Sequence, residues 1–117
     1  MELQFSGRSE NYLTVDKTTG NQYSMIEFEW NKNKAATNWR DHGVTFQHAV
    51  KAFSDQFAVE WIDGRENYGE ERFNLLGICE GVILLVAYTE RGERIRIISA
   101  RRAQQHEQEY YFSENSF

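Results

Sequence analysis

The rhythm of hydrophobic and polar positions changes several times along the 117 residues. In "MIEFEW", Ile26, Phe28 and Trp30 alternate with Glu27 and Glu29. That period of two predicts a strand with one buried face. In the next stretch Asn31 is placed to cap a helix, Ala35, Trp39 and His42 share one helical face, and Gly43 suits a left-handed stop. Thr45 then caps a second helix, where Phe46, Ala49, Val50 and Phe53 recur at i, i+3, i+4 and i+7.

Four strand-like runs follow: "QFAVEWI", "ERFNLLGI", "VILLVAYT" and "ERIRIIS". The polar loop "DGRENYG" and the short turns "CEG" and "ERG" separate them, which predicts an antiparallel meander. From Ala100 to Phe112 the spacing becomes helical, with Ser99 as the expected cap. Residues 1–24 are polar and read as a flexible or accessory leader, or as a short hairpin around "KTTG". The expectation is an α+β fold. A small antiparallel sheet is built in the order strand, helix, helix, four-strand meander, helix over residues 25–112, and residues 113–117 form a polar tail.

Composition narrows the function classes. The longest apolar run, Val82 to Tyr88, is strand-sized, and the N-terminus lacks a secretory pattern, so a soluble cytoplasmic protein with no membrane contact is expected. Cys79 is the single cysteine, which excludes an internal disulfide. One cysteine and three scattered histidines give no zinc spacing, and no phosphate loop is present, so no metal and no cofactor are expected.

Charge is the unusual feature. The net charge is -5, yet "RGERIRIISARRA" gathers five arginines. Strand alternation puts Arg94 and Arg96 on one face with Ile98, opposite Ile95 and Ile97. Arginines there need anionic partners, and Glu71 is the expected neighbour. With Ser99 as cap, Arg101 and Arg102 would sit in the first helical turn, against the helix dipole. That conflict with local preference is resolved if a phosphate binds there, held by backbone N–H groups and guanidinium forks. An ion-paired, solvated arginine face is the plainer reading of the same residues.

These residues carry a resemblance. "FEWNKNKAATNWRDHGVTFQHAVKAF", "YGEERFNLLG" and "VAYTERGERIRIISARRA" closely resemble the BrnT family of ribonuclease toxins, over about Ile26 to Tyr111. The chain departs from the family pattern at Asn31, at Gln47 and His48, and at Asp55 and Gln56, all cap or loop positions. The resemblance implies a RelE-like toxin fold, RNA as substrate, and neutralisation by a BrnA-like ribbon-helix-helix antitoxin. Operator DNA would be bound only through that antitoxin. A homodimer within the toxin–antitoxin complex is compatible with the expected sheet edge.

Metal-independent RNA cleavage needs a base for the 2′-OH, an acid for the leaving oxygen, and positive charge on the phosphoryl group. The candidates are Arg94, Arg96, Glu71, Arg72 and His42 for catalysis. Lys34, Ser99, Arg101, Arg102 and Tyr110 are the candidates for binding RNA or its phosphates. Glu71 reads better as an orienter of arginine than as a base, because neighbouring guanidinium groups weaken it as one. His42 can titrate, or simply cap a helix end. Tyr110 can stack a base or dock its own helix. The competing reading is a non-catalytic binding module, or a degenerate toxin acting only through complexes with its antitoxin.

Overall fold

The computed structural model describes residues 2–6, 9–15, 25–64 and 69–116, with side chains from residue 26 onward. Its elements are β1 (Glu2–Ser6), β2 (Ser9–Val15), β3 (Met25–Asn31), α1 (Lys32–His42), α2 (Phe46–Ala52), β4 (Val59–Asp63), β5 (Arg72–Cys79), β6 (Val82–Arg91), β7 (Arg94–Arg102) and α3 (Gln105–Glu114). Among the described residues the strands form one sheet in the order β1-β2-β3-β7-β6-β5-β4. The meander from β4 to β7 is antiparallel, as expected. The sheet as a whole is mixed, not antiparallel, because β3 runs parallel to β7, pairing Glu27–Glu29 with Arg94–Arg96. The two helices between β3 and the meander make this crossover possible. β1 and β2 extend the sheet beyond β3. The "KTTG" turn lies outside the described residues. No described helix is long and apolar enough to cross a membrane.

The caps predicted for α1 and α2 are present. The Asn31 side chain accepts hydrogen bonds from the Asn33 and Lys34 N–H groups, and Thr45 accepts from His48. Gly43 ends α1 at φ 67°, a left-handed conformation that costs glycine little. The buried face of α1 differs from the expected one. Trp39 is 58% exposed, and Asn38 is the buried residue.

One face of the sheet packs against α1 and α2, around Phe28, Trp30, Phe46, Val50, Val86, Tyr88 and Ile97. Edge-on aromatic contacts lock it, with ring centroids 4.9 Å apart for Phe28–Phe53 and 5.1 Å for Phe53–Tyr88. Gly77 lets α2 settle on β5, since a Cβ there would strike the Ala52 carbonyl. The other face is covered only in part. There α3 seals a smaller cluster of Leu76, Ile83, Ala103 and Tyr111. Asp55 pins the helix: one carboxylate oxygen accepts from Tyr111 Oη at 2.6 Å and from the Ile78 N–H at 2.8 Å. Burial, and then this hydrogen bond, push the Tyr111 phenol up to about 12.

The last strand and helix correct the sequence reading. β7 does not stop at Ser99 but runs to Arg102, and α3 begins at Gln105 behind Gln104. Ser99 is therefore no helix cap, and Arg101 and Arg102 lie on a strand and not in the first turn of a helix. The long partner β6 explains this, since it offers ladder positions as far as Leu84, opposite Arg102. α3 is capped instead by Glu107, whose carboxylate accepts the Gln104 N–H at 2.7 Å.

Candidate functional site: a cleft on the open face of the sheet

A break in register shapes the open face. Tyr88 pairs with Ile97 and Ala87 with Ser99, so Ile98 is an extra residue on β7. Such a bulge exchanges the faces of every residue after it. Before it, Ile95 and Ile97 face the core, and after it Ala100 does. Ser99 and Arg101, which would otherwise point into the core, turn to the open face instead.

There they meet side chains from three other elements. His42, Asp63, Arg72, Asn74, Ser99 and Arg101 line one cavity of about 340 Å³, floored by Leu85, Ala87 and Ile98. That volume falls at the lower end of the range, about 300–1,000 Å³, typical of small-ligand sites. His42 reaches the cleft because α1 lies along the edge of β7 that β3 leaves open. Asn38 makes that junction, bonding the backbone N–H and carbonyl of Ala100 and the carbonyl of Val44. The His42 ring makes no hydrogen bond to a described residue. The helix-capping role has no bond to support it, because the Trp39 carbonyl is taken by the Gly43 N–H.

Arg101 is held in place. Its Nη1 and Nη2 donate to the two carboxylate oxygens of Glu107 at 2.8 and 2.9 Å. Burial pushes the Glu107 carboxyl up, but the hydrogen bonds from Arg101 and the Gln104 backbone, with the Arg101 charge, outweigh it and hold the group below the usual carboxylate range. One glutamate therefore caps α3 and fixes a guanidinium at the cleft wall. Lys34 lies in an adjoining depression that shares His42, Ile98 and Ser99 with the cleft. Among the described residues it has no salt-bridge partner.

The other candidates fall elsewhere. Arg94 Nε lies 2.5 Å from Glu27 Oε1, and Arg96 Nη1 lies 2.9 Å from Glu29 Oε2. The anionic partners come from β3, through the parallel pairing, and not from Glu71. The Arg96–Glu29 pair is the more sheltered, with side chains 21% and 13% exposed. Glu71 is exposed just before β5, and its backbone carbonyl accepts the Thr89 hydroxyl at 2.7 Å. Arg102 lines a pocket on the opposite face, with Trp39, Val82 and Leu84. Tyr110 packs edge-on against Trp61, with centroids 5.8 Å apart, as a helix-docking residue does.

Sequence reasoning missed Asn74, Asp63 and the Ile98 bulge. A signal for the first was available. Asn is disfavoured in strands, and Asn74 interrupts the otherwise apolar run "FNLLGI". The bulge left a faint one: "RIRIIS" alternates as far as Ile97 and then doubles the isoleucine at Ile98.

A second cluster lies on the opposite face, by the β5–β6 turn. Side chains of His48, Cys79 and Glu80 bring a nitrogen, a sulfur and an oxygen within 4.8 Å of one another, a donor set that zinc accepts. Sequence spacing did not connect them. The Glu80 carboxylate is already engaged, by His48 Nε2 at 2.7 Å and by Lys51 Nζ at 3.7 Å. The His48 hydrogen bond, then the Lys51 charge, lower its pKa, while burial raises that of the Cys79 thiol.

Residues 30–107 match the profile of one family, described as ribonuclease toxin, BrnT, of type II toxin–antitoxin system. The chain belongs to the BrnT family. The matched span contains His42, Arg72, Ser99 and Arg101. Membership makes this chain a ribonuclease toxin with RNA as substrate and an antitoxin as partner. A search of curated proteins returned no match.

Proposed function

We propose that this BrnT toxin is a metal-independent endoribonuclease and that the open-face cleft is where it cuts. The observation that carries the reading is convergence. His42 of α1, Arg72 of β5, and Ser99 and Arg101 of β7 come from three separate places in the sequence and line one cavity. In this reading the 2′-OH attacks the adjacent phosphorus. His42 moves a proton at an imidazole nitrogen, taking it from the 2′-OH or giving it to the departing 5′-oxygen. Arg101 and Arg72 face the phosphoryl oxygens, and the Ser99 hydroxyl donates to one of them. Lys34 holds the strand where it leaves the cleft. Glu107 presents Arg101 without a search through rotamers, which lowers the cost of ordering it around a phosphate.

The antitoxin, of ribbon-helix-helix type and BrnA-like, covers this cleft and thereby blocks RNA. It also carries the contacts to operator DNA, and two toxins can associate within the complex. Arg94 and Arg96 act in this account by joining β3 to β7, not by touching RNA.

The test is cleavage of a single-stranded RNA by purified toxin in excess chelator. Intramolecular attack predicts products ending in 2′,3′-cyclic phosphate. His42→Ala should slow the reaction by about 10²–10⁴, the usual contribution of a positioned acid or base. Full activity in His42→Ala, or loss of activity in chelator alone, would remove this mechanism.

A further inference from the structure

Three polar residues are buried in the described structure: Asn38, Asn74 and Thr89. Two are satisfied. Asn38 bonds Ala100 and Val44, and Thr89 donates to the Glu71 carbonyl. Asn74 is 6% exposed, and its side-chain amide makes no hydrogen bond to any described residue. Its amide atoms are not sealed from solvent but open onto the cleft, so a donor and an acceptor stand free for a ligand there.

Its surroundings indicate which kind. Asn74 sits on β5, paired with Trp61 of β4 and Ala87 of β6. It lies where the cleft meets a second cavity, lined by Trp61, Ile62, Gly64, Leu85 and Glu107 among others. Beside the amide the cleft is lined by apolar Leu85, Ala87 and Ile98. Ala87 is small, which leaves room over the amide. A carboxamide offers one acceptor and a donor side by side. A phosphate only accepts, and the arginines of the same cleft already suit it. A nucleobase matches the amide and its setting together. Its edge carries adjacent donors and acceptors, and its ring can lie on an apolar floor.

We infer that Asn74 lines a nucleobase subsite and reads the edge of one RNA base next to the scissile phosphate. The inference rests on the cleft being the RNA site. It makes Asn74 a specificity determinant, not a residue of the proton-transfer machinery.

The experiment uses the full toxin and four 2′-O-methyl oligoribonucleotides that differ at a single position. They cannot be cleaved by 2′-OH attack, so fluorescence anisotropy reads binding alone. Wild type should favour one base by roughly tenfold, the scale of one bidentate base contact. Asn74→Leu, close in volume and without polar atoms, and Asn74→Asp, which loses the donor, should bring the four affinities to within about twofold of each other. Both variants should melt no lower than wild type, since no internal bond is lost. Equal binding of all four bases by wild type, or an unchanged preference in Asn74→Leu, would overturn the subsite. So would a melting temperature several degrees lower in Asn74→Leu, which would reveal a structural amide. Cleavage of an ordinary RNA is assayed alongside. A toxin that discriminates bases but cuts nothing would retain the subsite and sink the proposed reaction, and the converse would do the opposite.

Discussion

The side-chain amide of Asn38 bonds the backbone of Ala100 in both directions: Nδ2 donates to the carbonyl at 2.7 Å, and Oδ1 accepts the N–H at 3.0 Å. In effect the amide continues the sheet past the point where β3 turns away, and it carries α1, with His42 at its end, to the rim of the cleft. Replacing Asn38 by Ala removes its bonds to three buried backbone groups, the N–H and carbonyl of Ala100 and the carbonyl of Val44. The expected loss is about 2–4 kcal/mol in denaturant unfolding, with cleavage falling more than the remaining folded fraction accounts for.

The same junction shows what the sequence could and could not disclose. The strand at Met25, both helix caps and the meander were legible, because each rests on a local pattern. The face of α1 was not. Trp39 fits the helical stripe, yet the partner of α1 is a strand edge with open hydrogen bonds, which selects Asn38. The start of α3 was misplaced for a similar reason. Ser99 is a good cap, but the ladder opposite β6 extends three residues further, to Arg102. Ser99 and Arg101 were candidates from the arginine-rich stretch itself, and His42 and Arg72 from the chemistry that the family resemblance implies. That they share a cleft depends on the bulge, which the Ile97–Ile98 doublet marks only faintly, and on the parallel strand pair, which has no local signature.

Deleting Ile98 should restore plain alternation through β7 without exchanging its faces, because Ile97 stays opposite Tyr88 and Ser99 opposite Ala87. Ser99 and Arg101 then keep the open face and Ala100 the core. We expect a folded variant that still cleaves RNA. Circular dichroism alongside an RNA assay would check both, and loss of cleavage from a folded variant would mean that the shape of the bulge itself, beyond the faces it sets, aims the site.

Glu107 links stability to pH. Its pKa is lowered on folding from the ordinary value of 4.5. Its contribution is therefore complete above that value and is lost as pH falls through the lower folded value. Glu107→Gln should melt below wild type at neutral pH, and the gap should close in acid. A gap that persists or widens below the folded pKa would contradict the assignment.

Gly77→Ala should destabilise the domain by about 1–3 kcal/mol, the usual cost of overpacking a core contact. The cause is the Ala52 carbonyl, and the melt should show it without a change in base preference.

The central claim is that the cutting site lies at the cleft and not at the arginines paired with β3. Initial rates of RNA cleavage by Arg101→Ala and Arg94→Ala test it most directly, each corrected for folded fraction. The account predicts that Arg101→Ala loses about 10²–10³ in rate, as removal of a positioned charge from a phosphoryl group does. Arg94→Ala, relieved only of a half-exposed ion pair, should stay within about threefold of wild type. The reverse ranking would contradict the account and return the site to the start of β7.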